Sequence, residues 1–315
     1  MIKQHQRGIV LSHKTPKETI KAIIDADKKG IQTVWSISGG INPDLLTYYA
    51  AAAVQTKQIH FGTSIIPILP RHPTTLIAQV MVLEDLAPGR VRLGIGPSHK
   101  YSMEQMLGLN FDHAHGKLRE YVMILRQGLW EGKIDFSGEY YKVHQLSLPE
   151  HITPPKTPIL ISALREKAFE LAGEIADGAI SWMCPIEYLL KTAKPALQKG
   201  AQKAHRETPP LIAHIPVAFS DDFDKVLTAS HKQLGRYGKM PFYATMFSDA
   251  GFPVGKNGEL SDDLINNLVV WGTASQIQEK LKDIMHRGID ELLLLPVIVD
   301  DQEKEEQAIM DIISS

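Results

Sequence analysis

The chain has 315 residues, is 43% hydrophobic, and carries a formal net charge of -2 with its basic residues scattered. Clustered cations would be needed to grip a phosphate backbone, so nucleic acid is excluded as an expected partner. The apolar run 292–299 is broken by Pro296 and falls far short of the roughly 20 residues that cross a bilayer, and the lone cysteine, Cys184, rules out an intrachain disulfide; a soluble, cytoplasmic protein in a reducing compartment is expected.

In chain order, eight short apolar or β-branched runs read as strands: residues 7–12, 33–38, 60–65, 90–95, 158–162, 178–183, 211–219 and 291–297. Segments of helical spacing lie between them, among them 16–29, 164–176 and 275–287, each closed by a glycine (Gly30, Gly178, Gly288). Strand–helix alternation repeated eight times predicts an α/β fold, a (β/α)8 TIM barrel, in preference to a doubly wound sheet. One domain over residues 1–315 is expected.

Two stretches exceed a simple connection, so the barrel should carry long insertions after strands 4 and 7. Residues 133–157 hold a run, Ile134 to Val143, that alternates about Gly138 like a hairpin. Residues 221–270 mix aromatic side chains with Gly235, Gly238, Pro241, Gly251, Pro253, Gly255 and Gly258. A mobile cover over the strand ends is the expectation there.

No G-x-S-x-G elbow, Walker lysine loop, H-E-x-x-H helix or calcium loop is present, which takes weight from those chemistries. His113-Ala-His115 is an H-x-H pair, but it follows the fourth strand and lacks evident partner ligands. Two solvated histidines and no metal are expected.

The segments Gly62-Thr-Ser-Ile-Ile-Pro67, Arg71-His-Pro73 and Pro88-Gly-Arg-Val-Arg-Leu-Gly-Ile-Gly-Pro-Ser-His99 occur in order. They are followed by Leu171-Ala-Gly-Glu-Ile-Ala-Asp-Gly178 and Gly272-Thr273. Together they resemble the bacterial-luciferase-like flavin- and deazaflavin-dependent oxidoreductases, over nearly the whole chain. The resemblance implies a cofactor ring resting on a bulge in the third strand, at Thr63, Ser64 and Ile65, with a cis Ser64–Ile65 peptide. It further implies contacts from Gly96, Pro97, Ser98 and His99 after strand 4. A cofactor phosphate would sit at Ser162, Ala163, Leu164 and Arg165, where a helix begins after strand 5.

The chain departs from the pattern twice. Leu164 and Arg165 stand where relatives carry small residues, and Trp35-Ser-Ile-Ser38 stands where many carry a catalytic His or Asp. Serine is a poor proton carrier without a base, so proton transfer is assigned to His13 or His99, with Ser38 orienting substrate, or is left to cofactor and water. The implied activity is an FMN-dependent monooxygenase of a small organic substrate, with a separate flavin reductase as an implied partner. Alternatives are a deazaflavin (8-hydroxy-5-deazaflavin) hydride-transfer enzyme and a flavin-binding barrel without turnover. A homodimer is expected through helices 45–54 and 74–83, which carry no charged residue. Glutamates at Ala52 and Gln79 would test it.

Overall fold

Residues 7–314 are described by the structure, a computed structural model. Eight parallel strands form its centre: β1 (Arg7–Val10), β2 (Thr33–Ser36), β3 (His60–Thr63), β4 (Val91–Gly96), β5 (Ile159–Ser162), β6 (Gly178–Ser181), β7 (Leu211–Phe219) and β8 (Glu291–Pro296). Each pairs with its neighbours in sequence, and β8 returns to β1 with Arg7 opposite Leu292, so the sheet closes. All eight expected strands are present, in the TIM-barrel arrangement.

The alternation of a strand sends successive side chains to opposite faces. Ile9, Val34, Phe61, Leu93 and Ile161 point outward into the main core beneath the helices. Val10, Trp35, Leu160, Ile180, Ile212 and Leu293 form a separate cluster inside the barrel. Trp35 is too large for an ordinary inner layer, and glycines make its space. A Cβ on Gly8 would lie 2.8 Å from the indole, and one on Gly62 only 2.3 Å.

Beside that indole lies a buried ion pair. The Arg92 guanidinium sits 4.9 Å from the Trp35 ring centroid and meets Glu291 through two bonds of 2.6 and 2.8 Å. Burial pushes the Glu291 carboxyl up and the Arg92 charge opposes it. Fork-to-fork geometry is what makes two charges tolerable in such a place.

The outer helices are α1 (Pro16–Lys28), α2 (Leu45–Ala53), α3 (Pro73–Leu86), α4 (Ala114–Arg126), α5 (Glu166–Ile175), α6 (Lys194–Lys203), α7 (Ala274–His286) and α8 (Gln302–Ser314). Capping boxes start two of them, Thr15 with Glu18 on α1 and Thr273 with Gln276 on α7. Among the described residues no helix is long and apolar enough to cross a membrane.

The first insertion is a hairpin of Lys133–Ser137 with Lys142–Ser147. It stands against α4, and the Glu120 carboxylate accepts the tip N–H groups of Glu139, Tyr140 and Tyr141 at 2.7, 2.9 and 2.9 Å. The second insertion differs from an open cover. It forms helices at Phe223–Leu234, Pro241–Asp249 and Asp262–Leu268. Met246, Phe247, Leu264 and Ile265 are fully buried on them, so their apolar faces decide the structure although glycines and prolines punctuate the segment.

Candidate active site

Strand β3 stops early because of its neighbour. The Thr63 hydroxyl donates to the Gly94 carbonyl at 2.7 Å and accepts the Gly94 N–H at 2.8 Å, while a Cβ on Gly94 would fall 1.9 Å from the Thr63 carbonyl. The chain then passes through a cis Ser64–Ile65 peptide and rejoins β4 at Ile66 and Pro67. This bulge carries Ser64 and Ile65 to the mouth of the barrel.

A cavity of about 1080 Å³ opens there, at the C-terminal strand ends where barrels of this kind place their chemistry. Ser38, Ser64, Ile65, Pro97, Ser98, His99, Ser162, Ala163, Leu164 and Arg165 all line it. Three expected residues do not. Thr63 is fully buried and its hydroxyl is spent on Gly94. Gly96 lies behind the surface, where a Cβ would meet the Ser162 hydroxyl at 2.1 Å. His13 is held by Glu306 of α8, 2.9 Å from its Nε2, and its pKa is raised chiefly by that hydrogen bond.

At the α5 end of the cavity the groups are charged. Arg165 is the N-cap residue, and no side chain caps the first turn. Backbone N–H groups there suit an anion. Arg165 itself is not a free cation, because Asp249 lies 3.0 Å away. Glu166 and Lys167 complete this end. His113 lines the same region and stacks on Tyr140 at 5.8 Å.

The opposite wall is aromatic. Trp182, Tyr237, Tyr243, His99 and His214 form a chain of ring contacts with centroids 4.9 to 6.4 Å apart. Burial, aided by the Arg236 charge, lowers the His99 pKa. His214 is 4% exposed, and burial lowers its pKa to about 4. Its Nδ1 lies 2.9 Å from the Ser181 carbonyl, an oxygen that can only accept, so Nδ1 carries the proton and Nε2 is a bare acceptor. That Nε2 has no partner, and neither has the Trp182 Nε1–H.

Sequence reasoning passed over Trp182, His214, Tyr237 and Tyr243. For His214 a signal existed: it shares strand parity with Ile212, which faces the barrel interior, so a histidine there must point inward. The two tyrosines sit in the second insertion, whose aromatic content was visible without any pattern to single them out.

A flat, three-ring cofactor fits these residues. Ile65 and Ile180 offer an apolar floor, and the uncapped first turn of α5 suits a phosphate. Comparison with known proteins agrees in class. Residues 1–291 match the family model described as luciferase-like monooxygenase, and the chain belongs to that family.

An F420-dependent glucose-6-phosphate dehydrogenase of Nakamurella multipartita is 30% identical over 229 residues, 67% of this chain and 66% of that protein. Among solved structures, an F420-dependent secondary alcohol dehydrogenase in complex with an F420-acetone adduct superposes with a TM-score of 0.80, at 20% identity and 98% coverage of both chains. The oxygenating constituent of 3,6-diketocamphane monooxygenase of Pseudomonas putida, in complex with FMN, gives 0.71 at 18% identity, covering 98% of this chain and 96% of that one. At such identities these two matches speak for the fold alone.

Proposed function

We propose that the protein is a deazaflavin-dependent oxidoreductase that exchanges hydride with a small organic substrate. The similarity across two thirds of the chain to an F420-dependent dehydrogenase carries this reading. When bound, the deazaflavin supplies a carbon that takes up or gives back hydride, and the protein supplies position and proton handling. Ser64 and Ile65, on the bulge after β3, would support the ring. The uncapped first turn of α5 would hold the phosphate. Ser38 and Ser98 offer hydroxyls at the ring edge, and neutral His99 accepts a proton on a ring nitrogen as the substrate is oxidised.

An FMN-dependent monooxygenase is the second reading, favoured by the name of the family model and by the FMN-bound neighbour. Titration of the purified protein with F420 and with FMN, each followed by ligand fluorescence, separates the two. F420 is expected to bind at least about tenfold more tightly. Tighter FMN binding, with oxygen consumed when reduced FMN is supplied, would overturn the hydride-transfer reading in favour of the second.

A further inference from the structure

Trp182, His99, His214, Tyr237 and Tyr243 form the aromatic end of the cavity. Two polar atoms buried in it are unpartnered, the acceptor Nε2 of His214 and the donor Nε1–H of Trp182. Buried polar groups are seldom left so, and each such group asks for a ligand or water. The two are opposite in sense and their ring centroids are 4.9 Å apart. Indole nitrogen can only donate, and His214 can only accept because its proton is committed to the Ser181 carbonyl.

Around them the wall is uncharged. Arg236 lies behind Tyr237 and outside the cavity lining, 5.1 Å from that ring and 3.3 Å from its hydroxyl. Arg165, farther along, is matched by Asp249. The Lys and Arg residues that line the cavity, Arg165 and Lys167, belong to its α5 end, whereas Tyr237, Tyr243 and Phe242 offer flat apolar surface. A hydroxyl donates and accepts through a single oxygen and stays uncharged at neutral pH, unlike an alkylamine.

We propose that Trp182 and His214 form a specificity pair that selects a neutral alcohol carried on an aromatic or alicyclic ring. This rests on the proposed hydride-transfer function and places that enzyme's substrate at the aromatic end. Both residues are positioning residues for the hydroxyl, and Tyr237 links Trp182 to His99 through ring contacts of 5.5 and 6.4 Å.

Three probes of one shape, 1-indanol, 1-indanone and indane, separate the contributions when titrated by ligand-observed NMR against the cofactor-free protein. The alcohol should bind about tenfold more tightly than indane, with the ketone between them. His214→Phe should bring the alcohol down to the ketone's affinity and leave the ketone unchanged. Trp182→Phe should weaken both. His214→Gln, which keeps an acceptor, should recover part of the alcohol preference and guards against a folding defect in the phenylalanine variant.

Indane binding as tightly as 1-indanol would overturn the pair, and so would displacement of 1-indanol by glucose 6-phosphate. Because no cofactor is present, the result stands apart from the choice of F420 or FMN. The expected pattern in a protein that binds neither cofactor would remove the hydride-transfer reading and leave the pair in place.

Discussion

Single side chains in this molecule are defined by partners far away in sequence. Arg165 has the charge to attract a phosphate, but Asp249, 84 positions on, cancels much of it. Both groups are partly exposed, so the pair is screened and its effect is modest. Asp249→Asn should therefore tighten FMN about threefold while leaving riboflavin unchanged, since only FMN offers an anion; equal change for both ligands would show that Arg165 does not face the phosphate. His13 shows the same limit of sequence reading. It ends the first strand where a catalytic base was expected, and Glu306, 293 residues away, holds it off the cavity. No spacing rule could have revealed either capture, whereas Ser38, His99 and residues 162 to 165 were legible because strand ends locate them.

Among the elements, strands and outer helices follow the sequence because each carries its own period. The Pro241–Asp249 and Asp262–Leu268 helices were harder to see, since the glycines and prolines between them mask two short buried faces. The α2–α3 surface has a buried and an exposed face. Ala51, Val54, Ala78 and Val82 are exposed on it, Val54 by 65% and Val82 by 56%, with none of the chain's insertions covering them. Ala52, chosen from the sequence as a place for a charge, is fully buried, so a glutamate there would unfold the helix rather than test an interface. We propose that the exposed strip pairs with its copy about a two-fold axis. Light scattering should give twice the 35.1 kDa chain mass, and Ala51→Glu with Val82→Glu should return the monomer; a monomeric native protein would refute the pairing.

For the molecule as a whole, two histidines pull stability in opposite directions with pH. His214 has a depressed pKa in the folded state, so its contribution is complete above the unfolded value and is lost as pH falls from about 6.5 toward 4. The loss amounts to about 2 kcal/mol by pH 5. His13, whose pKa is raised by Glu306, stabilises below its unfolded value and loses that contribution as pH rises through the folded one. Urea unfolding at pH 7 and pH 5 should show His214→Phe losing about 2 kcal/mol less than the native protein between the two. An equal loss would place the acid sensitivity elsewhere. Arg92→Met should cost about 3–5 kcal/mol in the same assay, because it strands the Glu291 carboxylate inside the barrel; a cost below about 1 kcal/mol would mean that the carboxyl takes up a proton cheaply. The pair has a consequence for the order of synthesis. Arg92 leaves the ribosome 199 residues before Glu291, and until then the indole of Trp35 has its cation without the counter-charge. A nascent chain can therefore assemble the first four strands only as an open arc around an unneutralised guanidinium, and sealing waits until β8 has followed the other seven strands.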